Sequence, residues 1–246
     1  MGSLTFVEKD SPCNDTFDWP LFYMIDNHMI PEYLHPHCPL CRGKEIDSFF
    51  EDTQRVYLRC MQCQLVFVPE RFWLSPEDER ATYDLHENDA GDIGYRHFLS
   101  RLTIPLLERV KPEQKGLDFG CGPGPTLSVV LEEAGYSVDL YDPFFYNDPA
   151  VFHKKYDFIC TTEVVEHLRY PGQDFTTLFK LLKPGGWLGV MTKLVIDRAA
   201  FRKWHYIRDL THICFYSQST FEHIAQRFGA CVDLVNNDVI LLNKNN

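Results

Sequence analysis

The segment LDFGCGPGP, Leu117 to Pro125, constrains the fold of this chain more than any other. An apolar run bearing an acid opens into glycines at alternate positions, Gly120, Gly122 and Gly124. Such a run reads as a strand feeding a tight turn, because glycine lets the backbone bend sharply and lets a ligand lie against it. The helix that follows, over Thr126 to Ala134, aims its free N–H groups at that ligand. A second acid arrives about twenty residues later, at the distance expected of a nucleotide-binding βαβ unit. The run SVDLYD ends at Asp142, where a carboxylate at a strand tip can accept hydrogen bonds from both hydroxyls of a ribose.

The spacing is not that of a pyrophosphate-binding dehydrogenase turn, which reads G-x-G-x-x-G. Here it is G-x-G-x-G, and Asp118 stands two residues before the first glycine. An acid there repels phosphate and suits a cationic ligand. On these residues the chain resembles the class I S-adenosylmethionine (SAM) methyltransferases, whose first motif is an acid, x, then G-x-G-x-G. The resemblance continues through YDFICTTEVVEHL (Tyr156 to Leu168) and LLKPGGWLGVMT (Leu181 to Thr192), and covers residues 95 to 245. It implies an α/β, Rossmann-like fold with a seven-stranded sheet, SAM as cofactor, and cofactor contacts from Asp118, Gly120, Cys121, Gly122, Gly124, Asp142, Thr162 and Glu163. One departure is clear: only thirteen residues, PFFYNDPAVFHKK, separate Asp142 from Tyr156, so the third-strand region is abbreviated. The family's usual adenine contact is not carried over. Pro143, Phe144 and Phe145 are candidates for an apolar wall, or for ordinary packing at the sheet edge.

With 246 residues and 45% hydrophobic content, the chain can bury one main domain and an appendage. A net charge of −11 disfavours general attraction to nucleic acid or anionic membrane. No long apolar run or signal peptide is evident, so the expected compartment is the cytosol. The nine cysteines are then thiols or metal ligands rather than disulfides. Cys38 and Cys41 in CPLC, and Cys60 and Cys63 in CMQC, lie eighteen residues apart, the spacing of two zinc knuckles in a four-thiolate site. Residues 34–69 therefore read as a zinc ribbon, with His35 and His37 as loop residues because the ligand set is complete. A closed four-cysteine site is structural. Residues 34–68 carry no net charge, unlike a ribbon that grips RNA. Residues 1–33 read as an aromatic-rich N-terminal arm.

Residues 70–110 read as a helical cap over the cofactor pocket, starting at the serine–proline–acid run Ser75–Asp78 and interrupted at Pro105. Tyr83, His86, Tyr95 and Arg96 lie in it. By the resemblance, Tyr95 or Arg96 is placed to reach the cofactor carboxylate; packing is the alternative. Residues 111–246 read as the SAM-binding domain.

The segment EVVEH places Glu163, Glu166 and His167 at i, i+3 and i+4, one face of a helix. That face would look into the mouth of the site, since ligands of open α/β sheets sit beyond the carboxyl ends of the strands. Two carboxylates and an imidazole suit a divalent cation, Mg, Mn or Zn, though the helix dipole also accounts for acids in a first turn. The segment is similar to that of the ubiquinone-pathway catechol O-methyltransferases and of the small-RNA 2′-O-methyltransferases, which hold a metal with an E-x-x-E-H motif. The latter branch implies His212 as a further ligand, because it too has a histidine before an aromatic-containing strand and a helix. Alternatively His205, Asp209 and His212 share a helical face, or His212 or His167 acts as a metal-free base. The segment 193–212 carries a net +3, either a receptor for a substrate anion or solvated surface, and Trp204 and Tyr206 add aromatic surface. The expected activity is SAM-dependent methylation of a hydroxyl on a small metabolite, catechol-like or sugar-bearing. The alternatives are an RNA methyltransferase using its ribbon for recognition and a non-catalytic SAM-binding regulator.

Overall fold

In the computed structural model, which describes residues 37–85 and 88–246, the chain enters through two metal-type knuckles. Arg42 N–H closes on the Cys38 carbonyl and Gln64 N–H on the Cys60 carbonyl, both at 2.9 Å. Arg42 (φ 64°) and Gln64 (φ 60°) adopt the left-handed conformation that brings each cysteine pair together. Around the knuckles run three antiparallel strands, β1 (Ile46–Glu51), β2 (Val56–Cys60) and β3 (Val66–Phe67). The arm expected over residues 1–33, and the positions of His35 and His86, lie outside the described residues.

The cap follows as α1 (Pro76–Tyr83) and α2 (Ile93–Leu107). Ser75 caps α1 by accepting from Asp78 N–H at 3.1 Å, with Pro76 in the first turn, where its missing N–H costs nothing. Pro105 lies in the final turns of α2, so the helix continues through it only to Leu107.

The main body alternates strand and helix: β4 (Lys115–Phe119), α3 (Thr126–Glu133), β5 (Ser137–Tyr141), β6 (Tyr156–Thr162), α4 (Pro171–Leu181) and β7 (Leu182–Met191). It ends with α5 (Arg198–Phe201), β8 (Cys214–Phe215), α6 (Gln218–Phe228), β9 (Ala230–Leu234) and β10 (Val239–Lys244). Among the described residues the central sheet has six strands in the order β5-β4-β6-β7-β10-β9. The β5, β4, β6 and β7 neighbours are parallel, and β10 runs antiparallel to both β7 and β9. This is the Rossmann-like α/β architecture, with six strands rather than seven. The thirteen residues after Asp142 make one bridge, Asp142 to Tyr146, and a short 3-10 turn, Pro149–His153. A parallel crossover needs about a dozen residues before any returning strand is added, so nothing remains to build the missing one.

The buried strands alternate between two cores. Phe158 and Cys160 of β6, with Val239 and Leu241 of β10, face Leu99, Leu102 and Leu106 of α2 and Leu127 and Leu131 of α3. Ile159, Ile240 and Leu242 face the other way, toward Phe175 and Leu178 of α4, Phe221 and Ile224 of α6, and the ribbon residues Tyr57, Leu65 and Val66. The period-2 geometry of a strand sorts these side chains.

The ribbon is continuous with this second core. β8, from beyond the main sheet, pairs with β3 to complete a four-stranded sheet β1-β2-β3-β8, in register Val66 to Phe215 and Phe67 to Cys214. The expected boundary at residue 69 runs through that sheet, and His35–Asn246 form one unit. The first knuckle also docks. Gly172 N–H donates to the Pro39 carbonyl at 3.2 Å and Arg227 Nη1 to the Leu40 carbonyl at 2.6 Å. A Cβ on Gly172 would stand 2.3 Å from the Leu40 carbonyl oxygen, so only glycine permits this approach. No described helix is long and apolar enough to cross a membrane.

Candidate active site

The chain reverses direction across the sheet at β4: β5 lies on one side and β6 on the other. The carboxyl ends of these three strands therefore form the switch-point crevice of an open α/β sheet. Gly120 (φ 80°) and Gly122 (φ 64°) take the turn after β4 in conformations that side chains resist. A Cβ on Gly124 would fall 2.1 Å from the Asn88 carbonyl oxygen, so the loop before α2 lies directly on the turn.

Two acids frame it differently. Asp142 is held by backbone: its Oδ2 accepts from Gly122 N–H at 3.0 Å, and its Oδ1 from Phe144 and Phe145 N–H at 2.9 and 3.2 Å. Asp118 is 1% exposed, and its Oδ1 has no hydrogen-bond partner among the described residues. Burial, then the charge of Asp142, pushes the Asp118 carboxyl up to about 7. A buried carboxylate oxygen left unbonded costs free energy, and a cationic ligand group is what would relieve it. Tyr95 lies close by: its phenol is pushed up to about 12 by burial and by the charges of Asp118 and Glu163. Cys121 is buried and Thr162 half-buried at the same strand ends. Pro143 is exposed; the aromatic edge comes from Phe144, whose ring centroid is 5.7 Å from that of Tyr83. Arg96 pairs with Glu133 of α3 and donates to the Ala90 carbonyl at 3.2 Å, so it braces the cap.

The EVVEH segment is not the α-helix expected of it. Glu163 has φ 52° and donates its N–H to the Met191 carbonyl, and only Val165–His167 form a 3-10 turn. The sharp exit from β6 presses Val164 against Gly120, where a Cβ would meet its Cγ2 at 2.5 Å. That contact breaks the helical face and leaves Glu163 outside the group of ligand atoms that Glu166 and His167 join, although the Tyr206 hydroxyl lies 3.5 Å from its Oε2. Its Oε1 is buried with no hydrogen-bond partner among the described residues. Burial raises the pKa of both Glu163 and Glu166, and for Glu166 the neighbouring Glu163 charge adds to it.

His212 nevertheless arrives. Ligand atoms of Glu166, His167 and His212 all lie within 4.8 Å of one another. His167 Nδ1 faces the Thr211 carbonyl at 3.2 Å and His212 Nδ1 the Tyr206 carbonyl at 2.8 Å. A carbonyl oxygen only accepts, so each neutral ring carries its proton on Nδ1 and presents Nε2 as the basic nitrogen. Histidines that ligate metals are oriented in this way, by a carbonyl or carboxylate on the far ring nitrogen. Burial holds His212 below its ordinary pKa, which favours the neutral ring. The expected helical group of His205, Asp209 and His212 does not form. The residues His205–Arg208 make a 3-10 turn. His205 is exposed with its Nε2 3.0 Å from Lys193 Nζ, while Asp209 Oδ2 stands 3.7 Å from His212 Nε2.

Two residues complete the centre that sequence reasoning did not place in it. The Tyr206 hydroxyl donates to Glu166 Oε1, and Thr192 Oγ1 donates to Glu166 Oε2 at 3.0 Å. Tyr83 of α1 closes over them, its ring centroid 5.4 Å from that of His167 and its hydroxyl donating to Glu79 at 3.0 Å. No local pattern signals Thr192 or Tyr206, because each reaches Glu166 from a different part of the chain. Of the cations in the +3 segment, Arg198, Arg202, Lys203 and Arg208 are exposed.

In the ribbon the Sγ atoms of Cys38 and Cys63, and of Cys41 and Cys60, are 3.5 Å apart, and all four lie within 4.8 Å of one another. A tetrahedral zinc site with bonds of about 2.3 Å needs sulfurs roughly 3.8 Å apart, so the donor set fits zinc. His37 is exposed and outside the set.

A family model described as a methyltransferase domain matches residues 93–234, more than half of the 246 residues. The chain belongs to this methyltransferase family. Among solved structures, this SAM-dependent methyltransferase is similar to an O-methyltransferase family protein from Burkholderia thailandensis, with 14% identity over 72% of this chain and 62% of that one, TM-score 0.48. It is also similar to a SAM-dependent methyltransferase from Archaeoglobus fulgidus, with 17% identity over 61% and 94% of the two chains, TM-score 0.47. A third is magnesium protoporphyrin IX methyltransferase from Synechocystis, solved with bound SAH, with 12% identity over 68% and 94%, TM-score 0.46. No curated protein matches the methyltransferase in sequence. Membership rests on the family match and on the glycine turn with its two acids.

Proposed function

We propose that this methyltransferase transfers the SAM methyl group to a hydroxyl of a small metabolite, catechol-like or sugar-bearing, with Glu166, His167 and His212 holding a divalent cation beside the acceptor. The observation that carries the reading is the clustering of ligand atoms of Glu166, His167 and His212 within 4.8 Å of one another, with each imidazole Nδ1 facing a backbone carbonyl. Two imidazoles and one carboxylate favour Mn2+ or Zn2+ over Mg2+, which prefers oxygen ligands. Glu163 is left out of that set.

The sulfonium of bound SAM supplies an already activated methyl group. The protein's work is then to hold donor and acceptor in line and to remove the acceptor proton. Asp118 accepts from the cofactor α-ammonium, relieving its unbonded Oδ1. Asp142 keeps lone pairs for the ribose hydroxyls while its backbone bonds fix the turn. A divalent ion at the triad would lower the pKa of an acceptor hydroxyl and orient it. Tyr206 and Thr192 hold the Glu166 carboxylate in place. Tyr83 and Phe144 narrow the mouth, and Glu163 is the nearby base that can take the released proton, its pKa raised by burial. The acidic balance of the chain and the neutral ribbon favour a small acceptor over RNA.

The test is to titrate zinc-loaded protein with Mn2+ in the presence of SAH, followed by electron paramagnetic resonance. One Mn2+ site per chain beyond the ribbon zinc, lost in H167A and H212A, is the expected result. A wild-type protein that binds no Mn2+, Zn2+ or Mg2+ beyond the ribbon zinc would rule out the cation. With hydroxyl-bearing acceptors, SAH release that stops when this ion is removed identifies the acceptor class.

A further inference from the structure

The best-buried cation in the described residues belongs to the ribbon, and it touches the turn that carries the catalytic side chains. Arg55 sits between β1 and β2 and is 3% exposed. Its Nη2 donates to the carbonyls of Ile207 and Asp209, both at 2.8 Å, and its Nη1 to that of Leu210 at 3.1 Å. Its Nε donates to the Tyr57 hydroxyl at 2.9 Å, which in turn donates to Asp52 at 2.8 Å. Asp52 Oδ1 accepts from the backbone N–H groups of Gln54 and Arg55 at 2.8 and 2.9 Å, closing the hairpin around the arginine.

A buried guanidinium is costly to desolvate unless its donors are bonded, and here three of those bonds go to carbonyls of one distant turn and hold it. The turn lies between Tyr206, which donates to Glu166, and His212, whose Nδ1 faces the Tyr206 carbonyl. A second strut runs in parallel. Val68 N–H donates to the Ile213 carbonyl and Ile213 N–H to the Glu166 carbonyl, both at 2.8 Å.

We propose that Arg55 is a positioning residue for the catalytic centre: the ribbon acts as a buttress that fixes Tyr206 and His212 against Glu166. The planar fork of arginine suits this task because one rigid group meets three carbonyls, whereas a lysine ammonium on the same stem has no matching fork. The cation-binding part of the test rests on the function proposed above; the backbone part does not.

The experiment uses the full-length, zinc-loaded chain and its R55K and R55A variants, followed by hydrogen exchange, SAH calorimetry and Mn2+ titration. In R55K, amides in residues 205–214 should exchange at least about tenfold faster, while the 117–126 turn and SAH affinity stay within about twofold of wild type. Mn2+ affinity should fall at least about tenfold. In R55A, methylguanidinium should restore protection and Mn2+ binding, and methylammonium should not. Unchanged exchange over 205–214, or a uniform rise across the whole chain, would overturn the proposal, and so would equal rescue by both amines. If R55A does not fold, the exchange pattern of R55K alone decides between these outcomes. If wild-type protein binds no Mn2+, the cation reading fails while the exchange result still decides the role of Arg55.

Discussion

The Tyr206 hydroxyl donates to the carboxylate of Glu166, which is fully buried beneath the carboxyl ends of β6 and β7. Glu166 also accepts from Thr192 at 3.0 Å, so both its oxygens are satisfied by hydroxyls. Y206F should leave a buried carboxylate oxygen short of a donor, destabilising the protein by about 1–3 kcal/mol. Urea unfolding measures that loss. Mn2+ affinity should fall with it, and SAH affinity should not.

Asp118 predicts a pH dependence. Its folded pKa, about 7, lies above an unfolded value of about 3.9, so the folded state binds its proton more tightly. The stability this contributes is fully present below the unfolded pKa and is lost as pH rises toward 7. Thermal melts of ligand-free protein should show D118N flattening that decline. If the α-ammonium of SAH pairs with Asp118, binding at pH 6 releases on the order of one proton, visible by calorimetry in buffers of different ionisation enthalpy. D118N should bind SAH about tenfold to a hundredfold more weakly, the scale of a charged hydrogen bond of 1.5–3 kcal/mol.

Asp142 calls for a paired substitution, because it organises the turn as well as having the ribose-binding role proposed for it. D142A removes the acceptor for the N–H groups of Gly122, Phe144 and Phe145, and should lose both SAH affinity and thermal stability. D142N keeps one carbonyl acceptor and should lose less of each. Equal SAH affinity in wild type and D142A, by calorimetry, would remove Asp142 from the cofactor site.

Elemental analysis of protein purified under reducing conditions should find one zinc on Cys38, Cys41, Cys60 and Cys63. Because the first knuckle bonds to Gly172 and Arg227, and β3 pairs with β8, the damage in C38S should spread into α4, α6 and residues 205–216. Hydrogen exchange by segment measures it. An effect confined to residues 37–68 would show the ribbon to be an independent appendage.

Much of this was legible in the sequence for physical reasons that act over short distances. LDFGCGPGP announces its strand and turn because glycine and strand alternation are local properties, and the cysteine knuckles do so because metal geometry fixes short spacings. The brevity of the segment after Asp142 likewise signalled an abbreviated edge, although the expected sheet still had seven strands where the structure has six. EVVEH misled in one respect. Helical spacing put Glu163, Glu166 and His167 on one face, but packing of Val164 against Gly120 and the left-handed Glu163 turned the segment into a 3-10 bend.

The sequence by itself determined the chemistry available: a glycine turn with two acids, four thiolates, and an acid–histidine pair after a strand. Only the tertiary structure decided which of these act together. Tyr206, Thr192 and Arg55 enter the site through bonds spanning 40, 26 and more than 150 residues. Their partners are carbonyls and a buried carboxylate whose positions depend on sheet pairing and core packing. Such relationships leave no periodicity in the chain, since a hydrogen bond between distant segments requires only one suitable atom on each.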